Sequence, residues 1–362
     1  MNLLVTSPGR THFVQLTEPL TLECGARLYD ATLAYRTWGQ PNATGDNAVL
    51  VCHTLTGSAD ADDWWSGLLG PGRALDPERD FIVCSNVLGG CYGSTGPQSI
   101  NPVTGRRYGG AFPPITLRDI VRAQAAFLDR LGIARLTLVI GGSLGGMQTL
   151  EWAALYPERV AAIAAIGCGA QQSPWAIAWS EAQRQAICSD PNWNAGDYLP
   201  SAPPTAGLGA ARAVAMLSYR HWGELGRRFG RAQNQAGAYQ IESWLQHHSE
   251  KLVARFDAAS YVALTRAMDS HDLMRGRQDL SALQARALVV GITSDLLYPL
   301  AEQQALAALL PNAELAVLDS PYGHDAFLIE VEPLNRLIAE FRAPRAYTPN
   351  RHIFKESRAC LS

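Results

Sequence analysis

Residues 138–152 read LVIGGSLGGMQTLEW: four glycines surround one serine, directly after an apolar run and directly before a helical pattern. Three chemistries place glycines at such a strand-to-helix junction. A dinucleotide-binding turn requires G-x-G-x-x-G at the first strand–helix junction, and GGSLGG has neither the spacing nor the position. A phosphate-binding P-loop requires Lys followed by Ser or Thr, and this stretch contains no lysine. The third pattern, G-x-S-x-G, is matched by Gly141, Gly142, Ser143, Leu144 and Gly145. It predicts a strained turn in which the neighbours lack side chains so that strand and helix can approach closely. Ser143 is then the candidate nucleophile above the C-terminal edge of a sheet. The main-chain N–H of Leu144, at the helix N-terminus, is a candidate donor to a developing oxyanion. The competing reading is a plain glycine-rich turn.

Working outward, short apolar runs alternate with helical patterns. NAVLVCH (residues 47–53) and DFIVCSNV (80–87) read as strands buried on both faces. TLRDIVRAQAAFLDRLG reads as an amphipathic helix. Thr116 and Asp119 form a capping box, Ile120, Val121, Phe127, Leu128 and Leu131 an apolar face, and Gly132 the stop. RLTLVIGG, the helix after Ser143 and VAAIAAIG continue the alternation, which predicts a mostly parallel sheet covered by helices. From Ala170 to about Ala282 strand signals vanish. SEAQRQAIC, GLGAARAVAMLSYRHWGELGRRFG and YQIESWLQHHSEKLVARF read as helices, with PSAPPTAG as a flexible linker. Strands resume at ARALVVGIT and AELAVLDS, and EPLNRLIAEFR closes the chain with a helix. The expected organisation is a core over 1–167 and 283–345, a helical lid over 168–282, and a loosely attached tail over 346–362.

A nucleophilic serine on such a sheet takes its acid and base later in the chain, in the order Ser, Asp, His. VVGITSDLLYP puts Asp295 just past a strand, and VLDSPYGHDAF puts His324 just past the next. Both therefore fall at the edge that carries Ser143. The bland alternatives are a turn or helix-capping role for Asp295 and an ordinary loop position for His324. His247 and His248 lie in a helical pattern without HExxH spacing, so zinc is not indicated, and His271 either lines the site from the lid or, the favoured reading, packs in the core or faces solvent. A second oxyanion donor is expected from the loop after an early strand, where HTLTGSAD offers the main-chain N–H of Leu55.

Composition narrows the function classes. Hydrophobic residues make up 47% and charged residues 17% of 362, as in an ordinary buried-core protein. A net charge of −3 argues against nucleic-acid binding. No apolar run approaches the ~20 residues of a membrane span. MNLLVTSPGRTHF lacks the pattern of a secretion signal. The seven cysteines are scattered and without CxxC spacing, which predicts free thiols in a reducing, cytoplasmic setting.

Seven stretches together resemble one family: LAYRTWG, HTLTGSA, SNVLGGCYGSTGPQSINPVTGRRYG, GGSLGGMQTLEW, RQAICSDPNW, RFDAASYVALTRAMDSHD and SPYGHDAF. They are similar to the homoserine O-acetyltransferases, α/β-hydrolase-fold acyltransferases of methionine biosynthesis, from about residue 12 to about residue 342. The resemblance implies an α/β-hydrolase fold with an inserted helical lid, and an acyl-CoA donor with L-homoserine as acceptor. It further implies ping-pong transfer through Ser143, with Asp295 and His324 completing a triad. Arg212 in AARAVAM and Asp325 beside His324 match the family's amino-acid contacts. No bound cofactor is implied; acetyl-CoA or succinyl-CoA is a co-substrate. The family also implies a homodimer through the lid. Leu144 departs from the Met common at that place, and the tail after Arg345 has no counterpart. Succinyl transfer, L-serine as acceptor, and an esterase on the same fold remain the alternatives. Arg227, Arg228 and Arg231 form a basic cluster that either meets CoA phosphates or is a solvated helix face.

Overall fold

A computed structural model describes residues 10–343. The tail over 346–362, with Cys360, lies outside the described residues, as do the first nine and last two positions of the expected core. Eight strands form one sheet: β1 (His12–Gln15), β2 (Thr32–Trp38), β3 (Ala48–Cys52), β4 (Phe81–Ser85), β5 (Leu138–Gly142), β6 (Ala162–Ile166), β7 (Arg286–Ile292) and β8 (Ala313–Leu318). Their spatial order is β1-β2-β4-β3-β5-β6-β7-β8. The pairs β1–β2 and β2–β4 are antiparallel. Every other neighbouring pair is parallel. The six strands from β3 to β8 are those expected from the apolar runs. The two antiparallel strands were not expected: the edge strand β1 is only four residues long, and β2 (TLAYRTW), although seven residues long, has neither an unbroken apolar run nor a clean alternation.

All five residues of β3, β4 and β5 are buried, which explains their unbroken apolar sequences. Successive side chains alternate between two cores. Leu50, Val83 and Val139 enter one, while Val49, Val51, Ile82 and Ile140 enter the other. The first core is covered by α1 (Leu117–Arg130) and α2 (Leu144–Leu155). The capping box at α1 is formed: the Thr116 hydroxyl accepts from Asp119 N at 3.2 Å, and Asp119 Oδ2 accepts from Thr116 N at 3.0 Å.

Between β6 and β7 the chain leaves the sheet for five helices: α3 (Pro174–Cys188), α4 (Thr205–Tyr219), α5 (Trp222–Phe229), α6 (Gln240–Val253) and α7 (Ala258–Asp269). The two ends of this insertion are hydrogen-bonded to each other, with Gln172 N donating to His271 O at 2.8 Å and Leu273 N to Ala170 O at 2.9 Å. His271 sits in this neck, its Nε2 3.0 Å from the Gly169 carbonyl. Two sequence expectations are corrected here. The stretch read as one helix over 207–230 is two, because Arg220 is extended (ψ 148°) and the His221 ring accepts from Gly223 N to cap the second. The expected linker PSAPPTAG ends inside α4, which begins at Thr205. After β7 come α8 (Leu300–Leu309), β8 and α9 (Val331–Arg342); α9 covers the second core through Leu334, Ile338 and Phe341. No helix among the described residues is long and apolar enough to cross a membrane. Six cysteines are free thiols, with Cys52, Cys84 and Cys168 buried.

Candidate active site

Ser143 is the hinge between β5 and α2, with φ 57° and ψ −124°, a conformation costly for a residue bearing a Cβ. The glycines around it are required by space. A Cβ on Gly145 would overlap the Cys52 carbonyl oxygen. One on Gly142 would come within 2.6 Å of the Phe327 ring, and one on Gly146 within 2.7 Å of Cys168 Sγ. Leu144 is the first residue of α2, so its N–H is among those without an intrahelical acceptor.

Asp295 follows β7 and is buried. Its Oδ1 accepts from Leu297 N and Tyr298 N, both at 2.9 Å, so it does shape a turn. Its Oδ2 meets His324 Nδ1 at 2.7 Å, so one carboxylate serves both purposes. His324 lies past β8 on a loop that turns at Gly323 (φ 70°), where a Cβ would press on the Tyr219 carbonyl oxygen at 2.7 Å. Ser294 binds the two loops together, donating to Ser320 O and accepting from Gly323 N at 2.9 Å. Burial pushes the His324 pKa down. The charge of Asp295, its hydrogen bond and the charge of Asp325 outweigh that, leaving it above 6.5. With Nδ1–H donating to Asp295, Nε2 carries the free lone pair. That nitrogen is buried and has no partner among the described residues, so it is not hydrogen-bonded to Ser143.

Ser143 and His324 nevertheless line one cavity of about 60 Å³, together with Leu55, Arg212 and Asp325. Five of the seven residues singled out from sequence therefore share a single space. Asp295 stands behind His324, and Leu144 is the buried residue immediately after the serine. Arg212 projects from α4 with its guanidinium 5.5 Å from the Tyr219 ring centre. Its Nε is buried without a partner, and among the described residues it forms no ion pair. Asp325 precedes the one-turn helix Ala326–Ile329 but makes no side-chain cap hydrogen bond to it. Desolvation raises its pKa, against the pull of His324, Arg212 and Arg220.

The loop carrying Leu55 is held by residues that the sequence reading passed over. Gly57 N donates to Thr54 O at 3.0 Å, and Arg255 of the insertion donates to Thr56 O at 2.8 Å. His53 is buried, with Nδ1 2.7 Å from Thr54 O and Nε2 accepting from Val87 N at 3.0 Å. Burial lowers its pKa to about 4, as suits a neutral ring that donates on one side and accepts on the other. The signals available were its place just after β3 and at the head of HTLTGSA. His247 and His248 lie on α6, outside the cavity. Among the described residues no cluster of His, Cys, Asp or Glu could hold a metal ion.

The strand order, the serine after β5, and the Asp and His loops after β7 and β8 define a class. Residues 47–331 match the family model for the alpha/beta hydrolase fold, and the chain has that fold. Relatives narrow it further. The homoserine O-acetyltransferase of Trichormus variabilis is 57% identical over 337 residues, covering 92% of this chain and 94% of that protein. The one from Salinibacter ruber is 54% identical, covering 91% and 97%. At these identities and coverages the chain belongs to the homoserine O-acetyltransferase family. Among solved structures, the Bacillus anthracis homoserine O-acetyltransferase superposes with a TM-score of 0.86 at 26% identity, covering 93% of this chain and 98% of that one. Esterase E22 gives 0.84 at 27% identity, covering 92% and 99%.

Proposed function

We propose that the protein transfers the acetyl group of acetyl-CoA to the hydroxyl of L-homoserine, a step of methionine biosynthesis, through an acetyl-Ser143 intermediate. The observation that carries this reading is the unpaired Arg212 guanidinium in the same cavity as Ser143, His324 and a carboxylate, Asp325. A zwitterionic acceptor needs a cation for its carboxylate and an anion for its ammonium, and this pair offers both. An ester hydrolase has no use for such a clamp.

In the first half-reaction, rotation about the serine Cα–Cβ bond brings Oγ to His324 Nε2. The imidazole takes the Oγ proton as Oγ attacks the thioester carbonyl, while Asp295 holds the ring and stabilises its cationic form. The N–H groups of Leu55 and Leu144 stabilise the oxyanion, each contributing roughly 3–4 kcal/mol by comparison with oxyanion-hole deletions. The carbon–sulfur bond breaks, and the CoA thiolate leaves with the proton from Nε2. In the second half-reaction the acceptor hydroxyl gives its proton to Nε2 and attacks the acyl-serine. Ser143 then leaves and recovers the proton. Water competes at that point, and orientation of the clamped hydroxyl favours transfer, since held nucleophiles reach effective molarities of about 10⁵ M or more.

The helical insertion is the lid of this site, since it supplies Arg212 and Tyr219. An apolar groove between α4 and α6, lined by Gly209, Ala213, Leu245 and Val253, is where two copies would pair through their lids. The deciding experiment measures kcat/KM for acetyl-CoA and succinyl-CoA against L-homoserine and L-serine, following free thiol. The highest value is expected for acetyl-CoA with L-homoserine. Thiol release at the same rate without any amino acid would replace this reading with that of an esterase.

A further inference from the structure

Beside the cavity of Ser143 lies a larger one of about 720 Å³, lined by Arg220, Glu224, Arg227, Arg228, Tyr322 and Ile329 among others. We infer that this second cavity seats the phosphates of the acyl-CoA donor, an inference that rests on the acyl-CoA reading above.

The two cavities share a wall. Tyr219 and Leu328 line the first, while their chain neighbours Arg220 and Ile329 line the second. His324 faces the first and Tyr322, from the same loop, the second. An acyl-CoA has its thioester at one end of a flexible arm and a phosphorylated adenosine diphosphate at the other. A donor with its carbonyl at Ser143 must therefore place several negative charges at an arm's length from it. The second cavity meets that demand with three guanidinium groups against one carboxylate, in a chain whose net charge is −3.

Of these arginines Arg220 is built in place, while Arg227 and Arg228 stand exposed at the mouth. Arg220 is largely buried and pairs with Glu224 Oε1 at 2.7 Å. Arg220 and Arg228 both stack on Trp244, at 5.9 Å from its centre, and Arg220 also stacks on Tyr322 at 5.6 Å. Stacking fixes the planes of the Arg220 and Arg228 guanidiniums; Glu224 takes one Arg220 edge and lies 4.0 Å from Arg228 Nη1, and the remaining N–H groups can bind phosphate through paired hydrogen bonds. Arg220 Nε is itself buried without a partner. Arg227 and Arg228 are exposed, so the cavity mouth is cationic. Arg231, the third member of the cluster read from sequence, is turned away and donates to the Tyr239 hydroxyl at 2.8 Å. The site is thus Arg220, Arg227 and Arg228.

The test titrates adenosine 3′,5′-bisphosphate into the intact chain and into Arg227→Gln/Arg228→Gln, whose melting curve reports folding. In parallel, both proteins are assayed with acetyl-CoA and with S-acetylpantetheine, which lacks the nucleotide phosphates. The double variant is expected to bind the bisphosphate about tenfold more weakly or worse, the value of one charge-assisted hydrogen bond. Its preference for acetyl-CoA over S-acetylpantetheine should fall by a similar factor. Bisphosphate affinity and donor preference both equal to those of the parent overturn the inference, as does failure of the parent to bind the bisphosphate. A parent that binds the bisphosphate through these arginines yet transfers acetyl from neither donor upholds the phosphate site and removes the acyl-CoA reading.

Discussion

The imidazole of His324 is held from one side only. Asp295 Oδ2 meets Nδ1 at 2.7 Å, while Nε2 is buried with no partner. Activity requires the neutral ring, so kcat/KM should rise with pH through a midpoint above 6.5, the direction in which His324 is shifted. In Asp295→Asn the opposing effect of burial remains while the raising charge is lost. The midpoint should move to lower pH, and kcat should fall by about 10⁴. The stability linkage runs the other way. The stabilising effect of the protonated ring is fully present below pH 6.5 and is lost as pH rises through the folded-state value, which thermal melts across that range would detect.

Asp325 is linked to stability in the same direction, over a range that starts at 3.8 instead of 6.5. Its carboxyl is raised above 3.8 by desolvation, so the ionised form destabilises the fold. Stability of the parent falls as pH rises from 3.8 through the folded-state value, and the deficit persists above it. Asp325→Asn should therefore melt higher than the parent at pH 7, with the gap closing in acid. The same variant should show a raised KM for L-homoserine.

Arg212→Lys keeps a positive charge but loses the planar fork. The acceptor KM should increase by about tenfold, with donor half-reaction rates little changed, as measured by steady-state kinetics with acceptor varied. Unaltered acceptor kinetics would remove Arg212 from the site.

At the elbow, Ser143→Ala should abolish turnover yet retain the unfavourable φ of 57°. Ser143→Gly should abolish turnover and stabilise the fold by about 1 kcal/mol, because glycine adopts that region without strain. The glycines nearby behave differently from one another. Gly145→Ala places a Cβ against the Cys52 carbonyl and should prevent folding, while Gly226→Ala, with nothing within 4 Å of the new carbon, should stabilise α5 by about 0.5–1 kcal/mol. Chemical denaturation of the soluble variants checks both.

Glu151 on α2 is buried and pairs with Arg277 at 2.8 Å, just after the insertion returns, and with Arg118 at 3.4 Å. Glu151→Leu leaves Arg277 without its anion and Arg118 with Glu23 alone, at 3.9 Å, and should cost about 3 kcal/mol, read as a lowered denaturation midpoint.

Much of the site was legible because its signals are local. Ser143 follows an apolar run and is ringed by glycines, and Asp295 and His324 follow the next two usable strands in the required order. The capping box at Thr116 is equally local. What escaped is short or is set by tertiary contact. β1 has four residues with only Val14 buried, too short a run to show a pattern, and the break at Arg220 lies where the Gly323 turn packs on it. The same break leaves Arg220 paired with Glu224, beside Arg228, while Arg231 of the expected cluster turns to Tyr239. His53 opens the stretch HTLTGSA, but its two hydrogen bonds to main chain are encoded by no spacing rule.

A Cβ at Gly323 would strike the Tyr219 carbonyl, the Arg220 carbonyl carbon and the His221 nitrogen, all within 3 Å. The loop that presents the imidazole is thus cast against a mould contributed by a stretch about a hundred positions earlier. Cap and base cannot be exchanged separately: grafting this insertion onto another member of the fold without its matching loop would tilt the ring, and an engineer seeking new acceptors should transplant the two as one cassette.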